Sequence, residues 1–365
     1  MDGSCLLQSE AAKIYVCAGE MGCHGVVSLV ALLLVLLLRW PALSSAWAPV
    51  SRTITVDKKG RRDFRSVQPA VDSVPDGNRE WVKILVRAGH YKEKVTIPKE
   101  KCYILLQGEG QSTTEIYYDA SNNGTVDDLH LLMRGGSAGA YASGTFESAT
   151  FTVLADDFVA RDIAFMNSHN GFDKRNVSQA VAALVGGDRS AFYGCAFTGF
   201  QDTLCDYTGR HYFRDCFIKG AVDFIFGYSQ SIYDGCTVVS NVPMSHSRQP
   251  GWVTAHGRIG ASSPGGLVFK GGEIGGTGRQ YLGRAWNEYA TVVFYHVNMS
   301  GVVIPQGWDG SKNVGPDTMF AEVGNTGRGS DMAMRVPWEK HLTDAEVKRF
   351  VDISFIDDGW LAKQP

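Results

Sequence analysis

The sequence predicts an all-β chain folded as a parallel β-helix with short capping helices, and three observations predict it. A motif recurs with a period near 20 residues, glycine is abundant at 42 residues against 12 prolines, and the segments between glycines are short and rich in β-branched and aromatic residues. Repeats of roughly 20 to 50 residues mark solenoids, in which each turn buries its apolar face against its neighbours. A chain of 365 residues, 44% of them hydrophobic, is long enough to bury a sizeable core.

The N-terminus reads as a targeting segment. Val26 to Leu38 is apolar except for Ser28, follows an internal Met21 and leads into Ala46-Trp47-Ala48, a small-x-small pattern suited to signal peptidase. Thirteen residues fall short of the roughly 20 that a spanning helix needs, and Arg39 and Pro41 close the run. Residues 1–48 are therefore expected to be an N-terminal extension and signal peptide, with no membrane attachment after cleavage, and residues 49–365 a single domain. The hydrophilic stretch Met1 to Glu20 is an unusual prelude to such a signal. Sequons at Asn123, Asn176 and Asn298 are compatible with secretion and N-glycosylation. The formal charge is −3, and −2 without residues 1–48, so no broad basic surface recommends nucleic acid as a partner.

Ser66-Val67-Gln68-Pro69-Ala70-Val71-Asp72-Ser73-Val74 has apolar residues at helical spacing behind a serine N-cap, which predicts a helix over the first turn of the solenoid. The repeat itself reads Phe192-Tyr193-Gly194-Cys195-Ala196-Phe197, Phe213-Arg214-Asp215-Cys216-Phe217-Ile218 and Tyr233-Asp234-Gly235-Cys236-Thr237-Val238, and its pattern recurs about Ile163, Gly272 and Val297. Equivalent positions on successive turns lie about 4.8 Å apart, so Cys195, Cys216 and Cys236 should stack inside. That separation is within disulfide range, but parallel Cβ directions favour three small buried apolar residues over a bond. Gly- and Ser-rich stretches at 134–144 and 260–279 are expected as loops on the side of a binding groove. Thr343-Asp344-Ala345-Glu346 is a capping box that opens a short helix, expected to cover the second open end.

The chemistry follows from the repeat. Asp202 stands seven residues after Cys195 and Asp223 seven after Cys216, so the two carboxylates occupy one place on neighbouring turns. At roughly 5 Å between backbones, like charges push the two titrations apart, and such a pair supplies an acid and a nucleophile or base. Surface turn residues at equivalent corners would show the same spacing. Gln179 precedes Gln201 by 22 residues, about one turn, and two neutral amides beside two acids suit an oxyanion hole, although either alone reads as a structural amide.

Five ordered segments now resemble the signature of the plant pectin methylesterases: Gly89-His90-Tyr91-Lys92-Glu93, Gln179-Ala180-Val181-Ala182, Gln201-Asp202-Thr203-Leu204, Asp223-Phe224-Ile225-Phe226-Gly227 and Leu282-Gly283-Arg284-Ala285-Trp286. The likeness runs from about Ile54 to Leu361 and is closest to the subgroup without an inhibitor-like prodomain. It implies a right-handed β-helix, hydrolysis of the C6 methyl esters of galacturonosyl units in pectin, no cofactor or metal, and a monomer of the cell wall that a proteinaceous inhibitor could bind. By the same resemblance Asp223 is the nucleophile, Asp202 the general acid and then base, Gln201 with Gln179 the oxyanion hole, and Arg284 the partner of Asp223. Thr145, Gln179, Phe226, Arg284 and Trp286 would contact substrate, while Phe224, Tyr91 and Glu93 are structural and Trp308 fits either a wall or the core. Cys205 stands where the family usually has tyrosine, so a groove wall is expected to lose an aromatic and gain a thiol, and Ala285 replaces the usual proline. Another β-helical pectin enzyme, a lyase or a polygalacturonase, is disfavoured because no cluster of acids with a basic residue surrounds the pair and because the two glutamines would have no evident use. A wall-binding protein without turnover is the remaining alternative.

Overall fold

The computed structural model describes residues 48–122, 144–170, 177–244 and 249–365. The expected signal segment, but for Ala48, and the sequons at Asn123 and Asn176 lie outside the described residues. The strands assemble as a right-handed parallel β-helix of three sheets: sheet A has ten strands, from Val50–Val56 to Met319–Val323, and sheets B and C have eight each, from Gly89–Lys92 to Asn298–Met299 and from Val95–Ile97 to Trp308–Asp309. Every strand pairs in parallel with its counterpart on the next turn.

The motif seen in the sequence sits at the corner between sheets A and B. The residue before each of its six centres, Asp162, Gly194, Asp215, Gly235, Gly271 and His296, has a φ between 53° and 66°. A left-handed residue turns the chain sharply enough to start the next strand, and Gly, Asp and His tolerate that conformation better than most. Behind this corner Cys195, Cys216 and Cys236 are buried and free, as the stacking argument favours. One row inward, the rings of Phe192, Phe213, Tyr233, Phe269 and Phe294 stack on consecutive turns at centroid separations of 5.0, 4.6, 4.6 and 4.5 Å. At Gly272 a Cβ would lie 2.1 Å from the carbonyl oxygen of Cys236, so only glycine lets these two turns approach. This also corrects the loop expected over 260–279, which holds the strands Gly266–Lys270 and Glu273–Thr277.

Helix α1 (Val67–Asp72) buries Val67, Ala70 and Val71 over the first turn, but its cap is not the one expected. Ser66 makes no side-chain cap bond, and the Glu93 carboxylate accepts from the N–H groups of Val67 and Gln68 at 2.8 and 3.0 Å instead. A full negative charge is the stronger acceptor at a helix N-terminus, which gives Glu93 the structural role foreseen for it. Tyr91 is likewise buried, its hydroxyl donating to the Arg87 carbonyl.

The second cap is also placed differently. Helix α2 (Gly144–Glu147) lies beside the groove described below, and helix α3 (Asp344–Val351) carries the expected capping box. Yet Val347 and Phe350 of α3 pack, with Ile356 and Trp360, on the outer face of sheet A against Ile232, Val268 and Val293, so this helix covers a side of the solenoid. Its charged remainder faces water, and outward apolar residues of sheet A supply the partner surface that fixes it there. The C-terminal opening is closed instead by Val336 and Trp338, the latter against Phe320 at 6.1 Å. Trp308, open to two readings in the sequence, is core, stacked on Phe320 at 4.5 Å.

Two predictions follow from this packing. Phe213→Ala removes a ring held between two stacked neighbours and should lower stability by about 3–5 kcal/mol, read from the shift in a urea unfolding curve. Near the C-terminal opening Glu339 is only 4% exposed, and burial with the neighbouring Glu322 charge pushes its pKa up to about 8. The unfolded chain releases that proton near 4.5, so ionisation opposes folding and stability should fall as pH rises from about 4.5 to about 8. Glu339→Gln should flatten that part of the stability profile, measured by unfolding at a series of pH values.

Candidate active site

The outer face of sheet C forms the floor of a groove. Its register aligns Leu184, Cys205, Phe226, Ala255, Arg284 and Asp309 across neighbouring strands. At the entrance to two of these strands stand Asp202 and Asp223, and the bridge between Gln201 and Val222 continues the register that pairs Leu204 with Ile225. The carboxylates therefore do occupy equivalent places on adjacent turns. Both are left-handed, with φ of 61° and 46°, so the turn-residue reading describes their backbone correctly. Their side chains nonetheless line a cavity of about 220 Å³ with Thr145, Phe146, Gln179, Gln201, Phe226, Arg284 and Trp286. Strained backbone that aims polar groups into a cavity is a feature of functional sites.

All eight residues expected at the site thus meet there, and Phe146 joins them. Gln179 sits one turn before Gln201 and is offset by one residue from the register that pairs Ala183 with Leu204. Thr145 is placed by helix α2, with its hydroxyl oxygen 3.2 Å from the donating Asn122 Nδ2. Trp286 is half-buried and forms the outer part of the wall. Phe226 is 1% exposed and packs against Trp286 at 5.5 Å, so it backs that wall and offers the cavity little more than an edge. The Gly227 that follows has φ 142°, and a Cβ there would lie 1.9 Å from the Asp206 carbonyl oxygen, which keeps these two turns in contact beside the acids.

Both acids are buried. Asp202 is 6% exposed and Asp223 2%. Burial pushes the Asp223 carboxyl above its ordinary value, and Arg284 pulls it partly back through a two-pronged contact, Nε donating at 2.9 Å and Nη2 to the second oxygen. Burial works against the Arg284 charge in turn, and Asp223 with nearby Asp202 and Asp309 more than restores it. The arrangement can hold one carboxylate ionised and aimed at the cavity, beside a second acid and two amides.

Cys205 corrects an expectation. Its thiol is fully buried beneath the groove among Phe146, Tyr207 and Phe226 and does not line the cavity. An aromatic is retained two residues on, where the Tyr207 ring meets Phe146 at 5.3 Å. Ala285 is held without proline's constraint, paired with His256 in the strand Gln280–Ala285, and the Asn313 side chain donates to the Trp286 carbonyl at 2.9 Å. The sequence reading missed Trp252 and Asp309, which flank Arg284. Their signal was the register itself, since Asp309 pairs with Arg284 on the next turn.

Fold and site together define a parallel β-helix whose groove holds two buried carboxylates beside two amides. The pectinesterase profile matches residues 53–359. The chain is similar to probable pectinesterase 29 of Arabidopsis thaliana, 40% identical over 320 residues that cover 86% of this chain and 89% of that one, and to putative pectinesterase 10 of the same plant, 39% identical over 331 residues covering 89% and 91%. Among solved structures, the pectin methylesterase from carrot superposes with a TM-score of 0.74 at 31% identity, covering 87% of this chain and 97% of that one. That from Aspergillus niger does so at 0.69 and 26% identity, covering 87% and 98%. The chain belongs to the pectinesterase family.

Arg284→Gln removes the charge that offsets burial, so the Asp223 carboxyl should rise further. A carbon-13 NMR titration of labelled aspartate would read the shift against wild type.

Proposed function

We propose that this chain hydrolyses the C6 methyl esters of galacturonosyl units in pectin through Asp223 as nucleophile, and the observation that carries the reading is the buried Asp223 carboxylate gripped by Arg284 on the groove floor beside Asp202. A carboxylate oxygen of Asp223 attacks the ester carbonyl carbon. The carbonyl π pair moves onto oxygen, where the N–H groups of Gln179 and Gln201 stabilise the charge without neutralising the nucleophile. As the tetrahedral intermediate collapses, the bond to methoxide breaks and Asp202 gives its proton to the leaving methanol. The resulting anhydride is attacked by water, whose proton passes to the now ionised Asp202. Collapse releases Asp223 and the galacturonic acid, and Asp202 again carries its proton. Thr145 and Trp286 hold the sugar that bears the ester, with Phe226 behind the wall.

The reading extends to the rest of the molecule. Residues 1–48 act as an extension and signal that is removed, and residues 49–365 work in the cell wall as a monomer open to a proteinaceous inhibitor. Asn298 is exposed and accessible to a glycan, in keeping with secretion.

Asp223→Asn should abolish methanol release from highly methylated pectin while the protein remains folded and still sediments with pectin. A variant that keeps more than a small fraction of wild-type turnover would sink the nucleophile assignment, and a wild type that binds pectin without releasing methanol would favour the wall-binding alternative.

A further inference from the structure

Arg284 is a long, flexible side chain that must present its guanidinium in one plane if both of its bonds to Asp223 are to form. Those bonds alone would let the two side chains swing together. The guanidinium carbon, however, lies 4.6 Å from the centroid of the Trp252 ring, within the range of a cation–π contact. Trp252 is itself fixed, because its Nε1–H donates to Asp309 Oδ2 at 2.8 Å and the Tyr281 ring lies nearly parallel to it, 16° off at 6.1 Å. Asp309 is buried, and its other oxygen accepts the Ser311 N–H at 2.9 Å. On the next strand Asp309 stands opposite Arg284, while Ala255 on the other side presents only a methyl group in the direction of Asp223.

We propose that Trp252 and Asp309 are positioning residues for Arg284, a platform and its anchor that hold the guanidinium in the plane in which it aims the Asp223 carboxylate. The proposal rests on the reading of Asp223 as nucleophile. Neither residue lines the cavity, so each acts through Arg284. Asp309 has a second effect: its charge favours the Arg284 cation and opposes ionisation of Asp223. The anchor therefore trades some ease of ionisation at the nucleophile for orientation of its partner.

The test is methanol release from methylated pectin across pH by the full chain and its Trp252→Leu, Trp252→Phe and Asp309→Asn variants, with Asp223→Asn alongside and far-UV circular dichroism on each. Trp252→Leu should lower kcat by about 10- to 100-fold with KM little changed, because a misaimed reacting group costs rate more than ground-state binding. Trp252→Phe keeps a ring under the guanidinium and should recover most of that loss. Asp309→Asn keeps an acceptor for Trp252 but removes the charge, so the acid limb of kcat/KM should move to lower pH. Wild-type kcat in folded Trp252→Leu, equal losses in the leucine and phenylalanine variants, or an unmoved acid limb in Asp309→Asn would overturn the proposal. Turnover that survives Asp223→Asn would overturn the nucleophile assignment and this inference with it, and it is read from a different variant in the same assay.

Discussion

The parallel register, one strand per sheet per turn, is the constraint on which the rest of the structure depends. It repeats the chain at a spacing of about 4.8 Å, so whatever residue type recurs at the period becomes a continuous row in space. Inside the solenoid the rows are largely apolar: the Phe192–Phe294 ring stack and the three cysteines fill the core, and the Tyr233 hydroxyl in that stack donates to the buried Asp206 carboxylate at 2.6 Å. Outside, the same register brings Asp202 and Asp223 together at one corner and lines up Arg284 with Asp309. A one-residue slip anywhere between Cys195 and Phe226 would point one of the acids away from the other, so packing of the core and assembly of the site are one requirement.

Burial is what makes that assembly chemically useful and what it costs. A carboxylate at 2% exposure resists ionisation, and the two-pronged contact with Arg284 opposes that penalty at Asp223. The guanidinium cannot approach from the strand that bears Asp223. It comes from the strand Gln280–Ala285 two turns away and reaches across Ala255, whose side chain is only a methyl group. The left-handed backbone at both acids adds strain that the ladder of strands on either side absorbs.

Much of this was legible in the residues. The period, the cysteine stack and the paired acids are consequences of spacing alone, and the spacing survives folding because a solenoid preserves it. What could not be read was the placement of segments outside the repeat. Helix α3 showed its capping box in the sequence, but a short amphipathic helix does not reveal whether its apolar face meets the end of a solenoid or its flank. The cap of α1 came from Glu93, 26 residues beyond Val67, a partner no local pattern identifies. Glycines at 271, 272 and 276 suggested a loop because the left-handed corner and the close approach to Cys236 are properties of the neighbouring turn. The thiol of Cys205 was placed on the wall since its cover, Tyr207 and Phe146, comes from its own strand end and from helix α2.

In the proposed mechanism the ester carbonyl meets Asp223 with its oxygen turned to the two glutamines. A crystal structure of the Asp223→Asn variant soaked with a methyl-esterified oligogalacturonide measures that directly. The C6 ester carbon should face the residue 223 side chain, with its carbonyl oxygen within hydrogen-bond reach of Gln179 and Gln201 and its methoxy oxygen toward Asp202. An ester seated with its carbonyl oxygen toward Asp202 and away from both amides, or a sugar chain bound along a different face of the solenoid, would contradict it.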